Sequence, residues 1–237
     1  MAGPARVAII IDDIGYRKTD QAVLDLPGNV TYAVLPHTPY GKRIAKKANE
    51  RNLDVMLHIP MESENSEKKL GPGALTSEMD ESAIRAELNG AFKEIPFAIG
   101  INNHMGSRLT KMYSPMAWTM RYLKENDLIF IDSVTTRNSK ARKVANHFGV
   151  PSLSRNVFLD NQLTHEYISG QFNELIAKAK KHNNIIAIAH PHPETISALT
   201  RLIPELDKNN IKLVSISELL NGKANQNNQN NQNKVSE

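Results

Sequence analysis

"VAIIIDDIGY", residues 7–16, decides how the chain is read. Val7 to Ile11 are apolar without alternation, as expected for a strand covered on both faces. Such a strand belongs in a parallel sheet wrapped by helices. It then meets two adjacent carboxylates, Asp12 and Asp13. Like charges side by side repel, and burial sharpens the repulsion. The pair therefore needs a cation, a shared proton or exposure to water.

Working outward, other short apolar runs read as strands: "VTYAVL" (30–35), "DVMLHI" (54–59), "FAIGI" (97–101), "LIFI" (128–131), "VPSL" (150–153), "IIAIA" (185–189) and "IKLVSI" (211–216). Helical patterns lie between them. Asp80 precedes a stripe of Ile84, Leu88, Ala91, Phe92 and Ile95. Ser114 before Pro115 reads as an N-cap with proline at the first helical position, and Ser139 as a cap for the segment carrying Val144 and Phe148. Residues 165–182 and 194–208 read as two more helices. Repeated strand–helix alternation predicts parallel strands with right-handed crossovers, closed or nearly closed into a single-domain (β/α) barrel over residues 6–220. No glycine-rich phosphate fingerprint follows the first strand, which weakens a dinucleotide-binding fold. The stretch "MESENSEKKLGPGALTSEM" (61–79) is a long excursion after the third strand and a candidate active-site loop.

Composition narrows the function. The 237 residues are 40% hydrophobic, enough for one large core. No apolar run approaches the roughly 20 residues needed to span a bilayer. Lys and Arg outnumber Asp and Glu by only 29 to 25, with no basic stripe interleaved with aromatics, so nucleic acid is not the expected partner. The absence of cysteine excludes disulfides, thiolate zinc sites and a cysteine nucleophile. "MAGPAR" has no hydrophobic signal core, which fits a cytosolic protein or a mature or shortened chain. Residues 1–5 read as a disordered leader. The Asn/Gln-rich tail, 221–237, cannot bury enough apolar surface to offset its ordering entropy, so disorder is expected there. The oligomeric state is not legible.

In a (β/α) barrel the chemistry sits at the C-terminal ends of the strands. The residues expected there are Asp12 and Asp13, then His37, then His58 with Glu62 shortly after. Asn102, Asn103 and His104 follow, then Asp132 and Ser133, then His190 and His192. Each has an ordinary structural reading. An aspartate after a strand often forms a turn or a cap, His58 can be a core histidine bonded to a carbonyl, and "HPHPET" can be a proline-stiffened turn. Their convergence on one rim reads differently: a carboxylate with two imidazoles is a standard set for a first-row metal with one open position. One member of the aspartate pair can then bind the cation and the other remain a base beside it.

"IIIDDIG", "MLHIPME", "GINNHMGS", "FIDS" and "AIAHPHPET", in this order, resemble the divergent polysaccharide deacetylase family, over roughly residues 6–220. The resemblance implies a distorted (β/α)7 barrel of NodB-like type, one divalent metal, usually Zn2+, and a polysaccharide or oligosaccharide substrate met outside the cytoplasm. In the family's first motif the first Asp is the general base and the second a metal ligand, which match Asp12 and Asp13. The second motif, His-x-x-x-His, is represented by His58, with Glu62 in place of its second His. His104, one strand over, is available as the third ligand. The family's late histidine, a general acid, matches His190. Tyr16, Glu62, Asn103, Asp132 and His192 are the expected substrate contacts. The implied activity is hydrolysis of a C–N bond other than a peptide bond, deacetylating an N-acetylated sugar polymer or a related amide or ester. Two other classes stay open: a non-catalytic metal- or glycan-binding protein on the same barrel, and a phosphoesterase with two metals bridged by Glu62 or Asp132. A two-carboxylate glycosidase would have no need of the histidines.

Overall fold

The computed structural model describes residues 4–65, 67 and 69–221. Its strands are β1 (Ala5–Ile14), β2 (Thr31–Val34), β3 (Val55–Met61), β4 (Gly100–Met105), β5 (Ile129–Asp132), β6 (Ser152–Ser154), β7 (Val157–Phe158), β8 (Asn184–Ala189) and β9 (Ile211–Leu213). The helices are α1 (Gly41–Glu50), α2 (Glu81–Glu94), α3 (Tyr113–Glu125), α4 (Ala141–His147), α5 (His165–His182), α6 (Pro193–Leu202) and α7 (Glu205–Lys208).

All the ladders are parallel, in the order β6-β5-β4-β3-β2-β1-β8-β7, with β9 added beside the start of β1. The result is a single-domain α/β half-barrel. Its seam has a specific form. β6 pairs with β5 and β7 pairs with β8, yet only Arg155 and Asn156 separate them. The two ends of the sheet are thus joined by one continuous segment rather than by a ladder.

Alternation along the strands sorts the apolar residues. Val7, Ile9 and Ile11 belong to the large cluster shared with the helices. Ala8, Ile10, Met56, Ile131, Leu153, Ile186 and Ile188 pack with one another inside the barrel, together with Val214, Ile216 and Leu219. A slip of one residue would invert this pattern on any strand, and each fully buried Ile or Leu is worth roughly 1.5–3 kcal/mol. The register is therefore strongly held. Two residues further along the inner face, the same alternation delivers Asp12 from β1, His58 from β3 and His190 just past β8.

Several boundaries differ from expectation. β1 begins at Ala5, inside the expected leader, and runs on to Ile14, so the aspartate pair lies within the strand. β4 starts at Gly100 and carries Asn102, Asn103 and His104 within it, because its ladder with β3 continues to Met61↔Met105. β7 is too short to leave a sequence signal. α3 starts at Tyr113 with Met112 as its cap, so Ser114 is helical. The expected helix 194–208 divides at Ile203–Pro204 into α6 and α7, since proline cannot donate the amide that would continue it. Asp80 caps α2 as expected, accepting from the Ala83 amide at 2.8 Å. Residues 1–3 of the leader and 222–237 of the tail lie outside the described residues.

Candidate metal centre

The local fold of β1 explains how two neighbouring aspartates reach one cavity. Strict alternation would send them to opposite faces. Instead the pairing with β2 shifts register between Ile11 and Ile14, and Asp13 takes a left-handed φ of 58°. Such a conformation costs on the order of 1–3 kcal/mol in a non-glycine residue. Here it turns Asp13 back toward the barrel mouth. Gly15 completes the turn at φ 139°, where a Cβ would lie 2.1 Å from Thr38 Oγ1, so no other residue fits.

Asp13, His58 and His104 form the one cluster of potential metal-ligating groups found among the described residues, their ligand atoms all within 4.8 Å of one another. Asp13 Oδ1 lies 3.1 Å from His58 Nε2 and 2.7 Å from His104 Nδ1. The same oxygen is buried yet receives no well-directed hydrogen bond. These contacts are close but misaligned for hydrogen bonding, and a buried orphan oxygen between two ring nitrogens requires an explanation. A shared cation supplies one, because lone pairs then converge on a point rather than on each other. The residues present fit a divalent metal.

Asp12 sits beside the cluster, almost completely buried, with Oδ2 3.6 Å from His58 Nε2. Burial pushes its carboxyl above the usual range, against the opposing pull of His58, His190 and Asn102. Burial also opposes ionisation of Asp13, but His104 and His58 win and hold it well below the ordinary carboxylate range. His58 is pushed up: desolvation works against its charge, and Asp12 and Asp13 outweigh it.

His190 faces the cluster from the other side, with Nε2 3.9 Å from Asp13 Oδ2. Its Nδ1 lies 3.0 Å from Asp160 Oδ1, while Asp160 Oδ2 accepts from the His190 amide at 2.7 Å and from Thr195 Oγ1 at 2.9 Å. Phe158 stacks on the ring at 5.3 Å, and the Arg155 guanidinium covers Phe158 at 4.5 Å. Burial opposes a charge on His190, but Asp160 outweighs it and raises the pKa to about 9.

The remaining expected residues divide. Tyr16 is half exposed and lines a cavity of about 170 Å³ together with Asp13, His104, His190 and His192. Asn103 lines a second cavity, of about 350 Å³, together with Asp12, Asp13, His58 and His104. Both arms of its amide are engaged, donating to Met105 O at 2.7 Å and accepting from the Ser133 amide at 2.9 Å, so it braces the wall. Glu62 lines neither cavity. It pairs with Arg108 at 3.0 Å and accepts from the Ser77 amide, pinning the 61–79 excursion, which also bridges Met61 to Leu75. Asp132 accepts from the Val134 amide at 2.8 Å and from Ser139 Oγ at 2.7 Å, a closed turn away from the cluster. His37 pairs with Glu94 at 2.8 Å. Asp160 has only one sequence signal, a carboxylate after the two-residue β7, too weak to single it out. Asn102 stood in a motif, but its part in the site was not visible.

The family model of the divergent polysaccharide deacetylases matches residues 9–220. The chain belongs to this family. It is 38% identical over 217 residues to the uncharacterized protein YibQ of Escherichia coli K12, covering 91% of this chain and 67% of that one. The structure of uncharacterized protein ATU2773 from Agrobacterium tumefaciens C58 superposes with a TM-score of 0.86 at 24% identity, over 92% and 90% of the two chains. A family 4 carbohydrate esterase from Streptomyces lividans, solved in complex with acetate, shares the fold at a TM-score of 0.55 and 14% identity, over 91% and 94%. At these identities the structural likeness speaks for the fold, and the divergent deacetylase membership rests on the family match.

Proposed function

We propose that this divergent polysaccharide deacetylase is a hydrolase that removes acetyl groups from an N-acetylated polysaccharide or oligosaccharide, using one divalent cation held by Asp13, His58 and His104. The observation that carries the reading is the orphaned Asp13 Oδ1 between two imidazoles, with Asp12 alongside. Two ring nitrogens and a carboxylate with an open position suit Zn2+. A cation bound there would supply Lewis acidity to the acyl carbonyl and acidify the attacking water. The protein's own groups handle the protons. Asp12, through Oδ2 on the cluster side, takes the proton released as water attacks. His190, oriented by Asp160 so that Nε2 faces the cluster, donates a proton to the departing amine. The C–N bond breaks, acetate leaves, and the two transfers balance.

Glu62 and Asp132 are committed to loop contacts away from the cluster, which disfavours the two-metal phosphoesterase reading. Tyr16 and His192 line the smaller cavity and are the proposed sugar contacts. N-acetylated wall polymers lie outside the cytoplasm, so an extracytoplasmic setting is proposed. Among the described residues no helix is long and apolar enough to cross a membrane.

The test is elemental analysis of the purified protein together with acetate release from acetylated chitin and peptidoglycan fragments. About one zinc per chain and acetate release are expected. Metal without release from any fragment would move the non-catalytic binding protein ahead.

A further inference from the structure

We infer that Asn102 is a positioning residue that fixes the roles of Asp12 and His58 together, an inference that rests on the metal-dependent reading above. Asn102 is fully buried and sits directly opposite His58 in the β3–β4 ladder. Its Oδ1 is 2.8 Å from His58 Nδ1, and its Nδ2 donates to Asp12 Oδ1 at 2.7 Å. The second Nδ2 hydrogen is donated to Ser133 Oγ at a long 3.5 Å.

These contacts set one another. The amide can sit only one way round, because the flipped form would place its oxygen against a carboxylate oxygen. With the oxygen facing His58, Nδ1 must carry a proton, since an amide oxygen only accepts. The Nε2 lone pair is then the one available to the cluster, where Nε2 lies 3.1 Å from Asp13 Oδ1. Meanwhile the Asn102 N–H engages Asp12 Oδ1 and leaves Oδ2, the oxygen nearer His58 Nε2, to accept a proton. One neutral side chain thus presents the ligand nitrogen and selects the basic oxygen, at no charge cost in a site with two carboxylates.

The experiment measures Zn2+ affinity by chelator competition in the wild type, Asn102→Leu, His58→Ala and the double variant, each verified as folded by circular dichroism. Asn102→Leu removes both hydrogen bonds at nearly constant volume, and partners of metal-ligating histidines are worth about 10–100-fold in affinity. A loss of that size is expected. In the His58→Ala background the same substitution should have no further effect, because Asn102 acts on zinc through that ring. Asn102→Asp is the second variant: it keeps an acceptor for Nδ1 but sets an oxygen against Asp12 Oδ1, so it should lose less zinc affinity than Asn102→Leu, and an equal or greater loss would overturn the role given to the His58 contact. Wild-type affinity in Asn102→Leu, or an equal loss with and without His58, would overturn the inference while leaving the metal reading intact. A wild type that binds no zinc would remove both.

Discussion

Two strands of this barrel carry an aspartate at or close to their C-terminal end, where the backbone makes a left-handed bend, and the two places behave differently. At β5, both oxygens of Asp132 are engaged by its own loop, through the Val134 amide and Ser139 Oγ, and Val134 takes φ 50°. At β1, Asp13 takes φ 58° and keeps a buried oxygen without a directed donor, facing His58 and His104. The backbone turns with a similar φ in the two places. What differs is where the lone pairs go. An acid at a strand end that closes its own turn is structural, whereas one whose oxygen is left over among imidazoles is available to a ligand.

The strongest way to break this contrast is at the partner of Asp13. Asp12→Asn keeps the shape and removes the basicity. Turnover on acetylated fragments should fall by about 10²–10⁴-fold, with zinc content nearly unchanged. A variant as active as wild type would remove the base role. Asp13→Asn should do the reverse, with zinc affinity falling by more than the roughly 100-fold that supporting residues are worth and activity following it. Equal zinc affinity in the two proteins would place the cation elsewhere.

A smaller effect concerns the far side of the cluster. The folded pKa of His190 is raised to about 9 from an ordinary 6.5, with burial opposing the rise and Asp160 causing it. A raised histidine contributes stability that is full below the unfolded value and disappears as pH climbs through the folded one. In protein stripped of metal, urea unfolding should therefore show a loss of at most about 3 kcal/mol between pH 6.5 and 9.5. Asp160→Asn should flatten that slope, and an unchanged slope would show that Asp160 does not hold the proton on His190. The smallest change is expected at β5. Asp132→Asn should cost about 1–2 kcal/mol through its weakened hydrogen bonds and leave zinc affinity alone. Lost zinc binding there would erase the distinction between the two strand ends.

The sequence by itself determined the parallel barrel, because continuous apolar runs alternating with amphipathic helices have few other ways to bury both faces. It also placed Asp12, Asp13, His58, His104 and His190 on one rim, since strand ends of such a barrel converge. The tertiary structure alone decided which polar residues reach the cavity. Glu62 stands four residues after His58, as a second ligand would, but Arg108 and the Ser77 amide draw it into the loop. Asp160 and Asn102 become visible only when β7 is set beside β8 and β4 beside β3, because what defines them is a hydrogen bond to a residue 30 or 44 positions away. Local patterning records which face a side chain takes. Which partner satisfies its lone pairs depends on contacts between distant strands, and only the folded chain supplies those.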